Sequence, residues 1–217
     1  YKNLGTAAYG NIAYSCVYFN GCLWIVTGCS DYLLKYNVNT GESELHKNGV
    51  DKYVYTYITA DENRLYLLDN INNIIAITND GIDCMVIKIQ TSLIKKYWNT
   101  ENGELCLFKA VLNVGNYIVL IPAFSDTFIK INKITNEQSA INTHFLDNAD
   151  GCFNGYNPEY SYSTGAFAVL NSYEFIVQRT YDGKAAVINV DDISTENVEA
   201  GNCREFYIKI SNVDLEK

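Results

Sequence analysis

The 217 residues carry 16 Lys and Arg against 25 Asp and Glu, a formal charge of −9. Phosphate backbones are gripped by clustered basic side chains, and the densest here are Lys95-Lys96 and the isolated Arg64, Arg179 and Arg204, so nucleic acid is excluded as an expected partner. Hydrophobic residues make up 48% of the chain, ample for one domain core at a length that buries about 70% of the unfolded surface, but no run reaches the ~18 apolar residues of a membrane span.

In chain order the apolar segments fall into four similar units. The first, residues 12–47, has strands at 12–19 and 23–26, then Ser30-Asp31-Tyr32-Leu33-Leu34-Lys35-Tyr36-Asn37-Val38-Asn39-Thr40-Gly41-Glu42, and a last strand at 43–47. The second, residues 54–89, has strands at 54–59, 65–68, 74–77 and 84–89 divided by turns at 70–73 and 79–81. The third, residues 105–145, repeats the first: after strands at 105–111 and 117–121 comes Ser125-Asp126-Thr127-Phe128-Ile129-Lys130-Ile131-Asn132-Lys133-Ile134-Thr135-Asn136-Glu137, then a strand at 138–145. The fourth, residues 166–210, has strands at 166–170, 175–177, 185–190 and 205–210 around the turn Tyr181-Asp182-Gly183.

Taking Asp31, Asn72, Asp126 and Gly183 as equivalent, the spacings are 41, 54 and 57 residues. The first matches a propeller blade of ~40–50 residues, and insertions at 90–103, 147–164 and 193–204 account for the other two. Short segments rich in Ile, Val, Tyr and Phe between Asn, Asp and Gly turns are an all-β pattern; two helical turns at 91–98 are the one exception expected. The expected architecture is a single β-propeller-like domain over 1–217, of about four four-stranded antiparallel blades. Four is the low end of the ~4–8 range, so the chain is expected to be part of a larger propeller or to close through a second chain as a homo-oligomer.

Lys35 to Glu42 resembles the strand and Thr-Gly-Glu turn of quinoprotein-like propeller repeats of bacterial proteins, and Ile131 to Glu137 is a degenerate second copy. Leu45 stands near the position of the Trp that normally follows that turn. The resemblance implies the fold and a habit of binding on one face, without a quinone or calcium ligand set.

Seven cysteines lack any C-x-x-C pair, and His46 and His144 are far apart, which is not a zinc-site pattern. Cys16, Cys22, Cys84 and Cys106 fall in strand segments, where a free thiol packs as a small hydrophobe; a disulfide among Cys16, Cys22 and Cys29 is the alternative. Free thiols imply a reducing, cytoplasmic setting. The chain starts at Tyr1, so it is read as a processed or trimmed product whose leader, if any, is out of view. P-loop, G-x-G-x-x-G, H-E-x-x-H and G-x-S-x-G motifs are absent, and residues 147–151 lack the ligand order of a calcium loop. No cofactor or metal is expected.

In a propeller, the turns between second and third strands share one end with the blade-to-blade connections. That rim collects Ser30, Asp31, Asn72, Asn73, Ser125, Asp126, Tyr181 and Asp182. Loops displayed on a rigid scaffold concentrate binding residues, although the same residue types also simply make turns. Two features break the repeat: Arg179, where other units carry Thr27, Leu68 and Pro122, and the insertion bearing Phe153, Tyr156, Tyr160 and Tyr162. Guanidinium forks and aromatic faces suit a polar, ring-containing ligand. The expected site is Arg179, Tyr181, Asp182, Asp126, Asp31, Tyr156 and Tyr160, in a noncatalytic recognition module for a glycan, a peptide or a partner protein. The competing reading is a carbohydrate-active hydrolase or lyase, with carboxylates drawn from Asp61, Asp69, Asp126, Asp150 and Asp182.

Overall fold

A computed structural model describes residues 15–26, 32–47, 55–78, 84–95, 107–146, 163–180, 184–191 and 203–207. The described residues form sixteen strands. Blade 1 comprises β1 (Ser15–Phe19), β2 (Cys22–Val26), β3 (Tyr32–Asn37) and β4 (Ser43–Lys47); blade 2 comprises β5 (Tyr55–Ala60), β6 (Arg64–Asp69), β7 (Asn73–Thr78) and β8 (Cys84–Lys88). Blade 3 is built from β9 (Phe108–Val114), β10 (Tyr117–Pro122), β11 (Ile129–Asn132) and β12 (Gln138–Ala140), and blade 4 from β13 (Thr164–Val169), β14 (Glu174–Arg179), β15 (Lys184–Asn189) and β16 (Cys203–Tyr207). Each blade is an antiparallel meander whose spatial order is its chain order.

The repeated sequence makes repeated hydrogen bonds. Asn37 Oδ1 accepts from the Asn39 and Thr40 amides at 2.9 and 3.1 Å, and Asn132 Oδ1 accepts from Ile134 and Thr135 at the same two distances. Thr40 and Thr135 hydroxyls then accept from the amides of Glu42 and Glu137, each at 3.3 Å. The turn requires a left-handed residue, supplied by Gly41 (φ +72°) in one copy and Asn136 (φ +60°) in the other. Both residue types tolerate that region, which is why the degenerate copy still closes.

Blades stack face to face through three apolar layers. Trp24, Val26 and Leu33 of blade 1 pack on Leu65, Leu67, Ile75 and Ile77 of blade 2. Tyr66, Leu68, Ile74 and Ala76 pack on Ile118, Leu120, Ile129 and Ile131 of blade 3. Val119, Ile121 and Phe128 in turn pack on Phe175, Val177, Ala186 and Ile188 of blade 4. Strands buried on both sides are therefore continuous apolar runs, as in Leu65-Tyr66-Leu67-Leu68, all fully buried. First strands adjoin in the order β1, β5, β9, β13, and among the described residues no contact of similar extent joins β13 to β1.

Several expectations need correction. Of the two helical turns expected at 91–98, the described residues 91–95 show one 3₁₀ turn, Thr91–Leu93, and residues 96–98 lie outside the described residues. The strand expected at 105–111 lies at Phe108–Val114, and that expected at 138–145 ends at Ala140, because Thr143, Phe145 and Leu146 turn inward and are buried. Thr164, assigned to a loop, begins β13. Cys22 is buried as expected, but Cys16 and Cys84 are exposed, and all three are free thiols. Cys29 and Cys106 lie outside the described residues.

Candidate functional site

The second-to-third strand turns of blades 2 and 3 are held by their own polar side chains. Asp69, fully buried, accepts from the amides of Ile71 at 3.0 Å and Asn73 at 2.6 Å and from the Asn73 side-chain amide at 2.8 Å. Burial raises its carboxyl pKa, and those three donors act against the rise. Asn72 (φ +64°) accepts from the Leu107 amide at 2.7 Å across the junction with blade 3. Ser125 is fully buried, its carbonyl taking the Ser163 hydroxyl at 2.9 Å, and Asp126, half-buried, accepts from Thr127 Oγ1 at 2.6 Å.

Arg179 is placed differently from the sequence expectation. The ladder sets it level with Asp69 and Pro122, one residue beyond Leu68, and it is only 5% exposed. Its guanidinium donates to the Phe145 carbonyl at 2.6 Å and lies 4.7 Å from the Phe145 ring centroid. It anchors the 141–146 segment to blade 4 and is not a displayed rim charge. Glu174 sits at the opposite end of β14, where it accepts from the Asn171 side-chain amide. Asp31, Tyr156, Tyr160, Tyr181 and Asp182 lie outside the described residues.

Next to Arg179 stands a group the sequence reading did not single out. Thr164, the ladder partner of Arg179, gives its carbonyl to the Lys109 ammonium, which also donates to the Gly165 carbonyl at 2.5 Å. Lys109 lies 5.3 Å from the Phe167 ring centroid, within cation–π range. Phe167 in turn meets Tyr57 edge-on at 5.7 Å. First strands of blades 2, 3 and 4 thus bring Tyr57, Lys109 and Phe167 together, all half-buried. Burial lowers the Lys109 pKa to about 8, and burial chiefly raises that of Tyr57. A sequence signal existed: Lys109 is the lone charge in the apolar stretch 105–114.

A second polar cleft of about 550 Å³ opens at the other end of blades 2 and 3, lined in part by Asp61, Arg64, Tyr66, Asn116 and Lys133. Burial pushes the Asp61 carboxyl up, but hydrogen bonds from the Asn63 and Arg64 amides and the Tyr66 hydroxyl, with the Lys133 charge 3.6 Å away, hold it below its ordinary value. Asp61 bonds to Arg64 at the start of β6 and Asp69 ends that strand, five residues on and about 17 Å away at ~3.3 Å per residue. These two carboxylates do not form the ~5–10 Å pair that glycoside chemistry needs.

No protein-family model matches this sequence, and no curated protein matches it either. Solved structures do match in fold. A hydrazine synthase of Kuenenia stuttgartiensis superposes with a TM-score of 0.55 at 9% identity, covering 85% of this chain and 49% of that one. A structure of YCF48 bound to D1 peptide gives 0.54 at 10% identity, covering 81% and 50%, and a nidogen–laminin complex gives 0.49 at 10%, covering 78% and 56%. The neighbours are β-propeller proteins, and the four meandering sheets make this chain a β-propeller-fold protein built of blade repeats. It spans about half the length of the chains it matches.

Proposed function

We propose that this chain is a noncatalytic recognition module that binds an acidic or otherwise polar peptide segment of a partner protein on the face formed by the first strands of blades 2 to 4. The observation that carries the reading is Lys109, a cation held against the Phe167 ring beside Tyr57 on a chain of net charge −9. A positive centre flanked by aromatic faces attracts a carboxylate while the rings stack on side chains or sugars. The YCF48 propeller, which is known with a peptide bound, supports a peptide over a glycan as the ligand. The separation of Asp61 from Asp69 argues against a hydrolase using those two carboxylates.

Peptide and glycan arrays probed with the parent protein and with Lys109→Gln test this. The parent should retain acidic peptides, and the variant should lose about tenfold or more, the worth of one charge-assisted contact. A parent that binds only neutral glycans, or a Lys109→Gln variant that binds peptides equally well, would overturn the reading.

A further inference from the structure

Each blade presents a leading face toward the blade before it and a trailing face toward the blade after it. Ladder registers define the same four leading positions in every blade: Leu65, Leu67, Ile75 and Ile77 in blade 2, Ile118, Leu120, Ile129 and Ile131 in blade 3, and Phe175, Val177, Ala186 and Ile188 in blade 4. All twelve are essentially inaccessible, sealed under the preceding blade. The equivalents in blade 1 are Leu23, Ile25, Leu34 and Tyr36, every one of them partly exposed. On the first strand the same contrast holds: Cys16 is exposed where Ile58 and Val111 are buried. Tyr18 at 62% exposure and Leu45 at 64% extend the patch.

The opposite end of the stack is its counterpart. Trailing positions filled by buried Trp24, Tyr66 and Val119 in blades 1 to 3 are taken in blade 4 by Ile176, paired with Val187, and both are partly exposed. A leading face without its trailing face and a trailing face without its leading face are complementary by construction, since this chain already joins such faces three times.

We infer that blade 1 of one copy docks on blade 4 of a second copy, and that two four-blade arcs related by a two-fold axis close one ring of eight blades, at the top of the ~4–8 range. Continuity with the existing blade interfaces favours this occupant. Its two junctions would each continue the layer chemistry seen within the chain, and a two-fold pairing closes without leaving an open face. The propeller chains matched with TM-scores of 0.54 and 0.55 extend well beyond the aligned blades, this chain covering 50% and 49% of them, so in neither match do these four blades account for the whole neighbouring chain.

Sedimentation of the 217-residue chain should give about twice its 24.5 kDa, with Leu34→Arg and Val187→Glu each monomeric and retaining β-sheet circular dichroism. Mixing the two variants should restore a dimer, because one junction is then native and the other pairs Arg with Glu. Alkylation with peptide mapping gives a readout on the parent alone: Cys16 should be protected in the dimer and become reactive on dilution, while Cys84 on blade 2 reacts throughout. A monomeric parent, a dimer indifferent to both substitutions, or Cys16 as reactive as Cys84 in the dimer would overturn the inference; the first result would mean that other blades or another partner complete the ring.

Discussion

Arg179 and Lys109 are both basic residues on strands of blades 3 and 4, yet their surroundings assign them different tasks. Arg179 is buried and holds the Phe145 carbonyl, so Arg179→Ala should cost about 1–3 kcal/mol in urea unfolding through the buried acceptor left without a donor, whatever it does to binding. Asp69→Ala should cost a similar amount, about 1–3 kcal/mol, because it strips the acceptor from three N–H groups in one turn. Asp61 makes a pH prediction. Its folded pKa is depressed, so its stabilisation is present above the unfolded value of about 4 and is lost as pH falls through the lower folded value. Acid unfolding of Asp61→Asn should accordingly be less steep below pH 4 than that of the parent. Arg179 was legible in the sequence as a break in the repeat; its burial was not, because the turn of chain that covers it comes from blade 3. Lys109 carried a comparable signal but stood in a strand that lies three residues later than the apolar run predicts, at Phe108–Val114.

At the level of elements, the sequence was most informative where a turn is made by its own residues. The Asn37 to Glu42 and Asn132 to Glu137 turns could be read as equivalent because each is closed by local hydrogen bonds that Asn and Thr make at fixed offsets. Strand ends set by packing between blades were misjudged, as at β12, which stops where Ile141 and Phe145 turn into the layer between blades 3 and 4. Gly115 illustrates such a constraint from outside the element. It has φ +54°, and a Cβ there would lie 2.0 Å from the Ser172 carbonyl oxygen in the β13–β14 turn. Gly115→Ala should therefore destabilise the protein by more than about 1 kcal/mol, through both the left-handed backbone and the enforced separation of two hairpins. Thermal unfolding of this variant beside a substitution at exposed Asn116 checks it.

For the whole molecule, acidity, all-β content and repeat number were visible in composition and periodicity, whereas the meeting of three first strands at one point follows only from stacking blades around an axis. That meeting places Lys109 beside the Phe167 ring and Tyr57, and it is the basis for reading the molecule as a recognition module. The most direct test is the affinity for an array-selected acidic peptide, measured calorimetrically across pH with the parent and Lys109→Gln. Burial holds the Lys109 pKa at about 8, so its charge is complete well below that pH and fades above it. Parent affinity should fall as pH rises through about 8, while the variant binds weakly with a flat profile. Parent affinity that is unchanged through that window, or a fall of equal size in Lys109→Gln, would contradict the account.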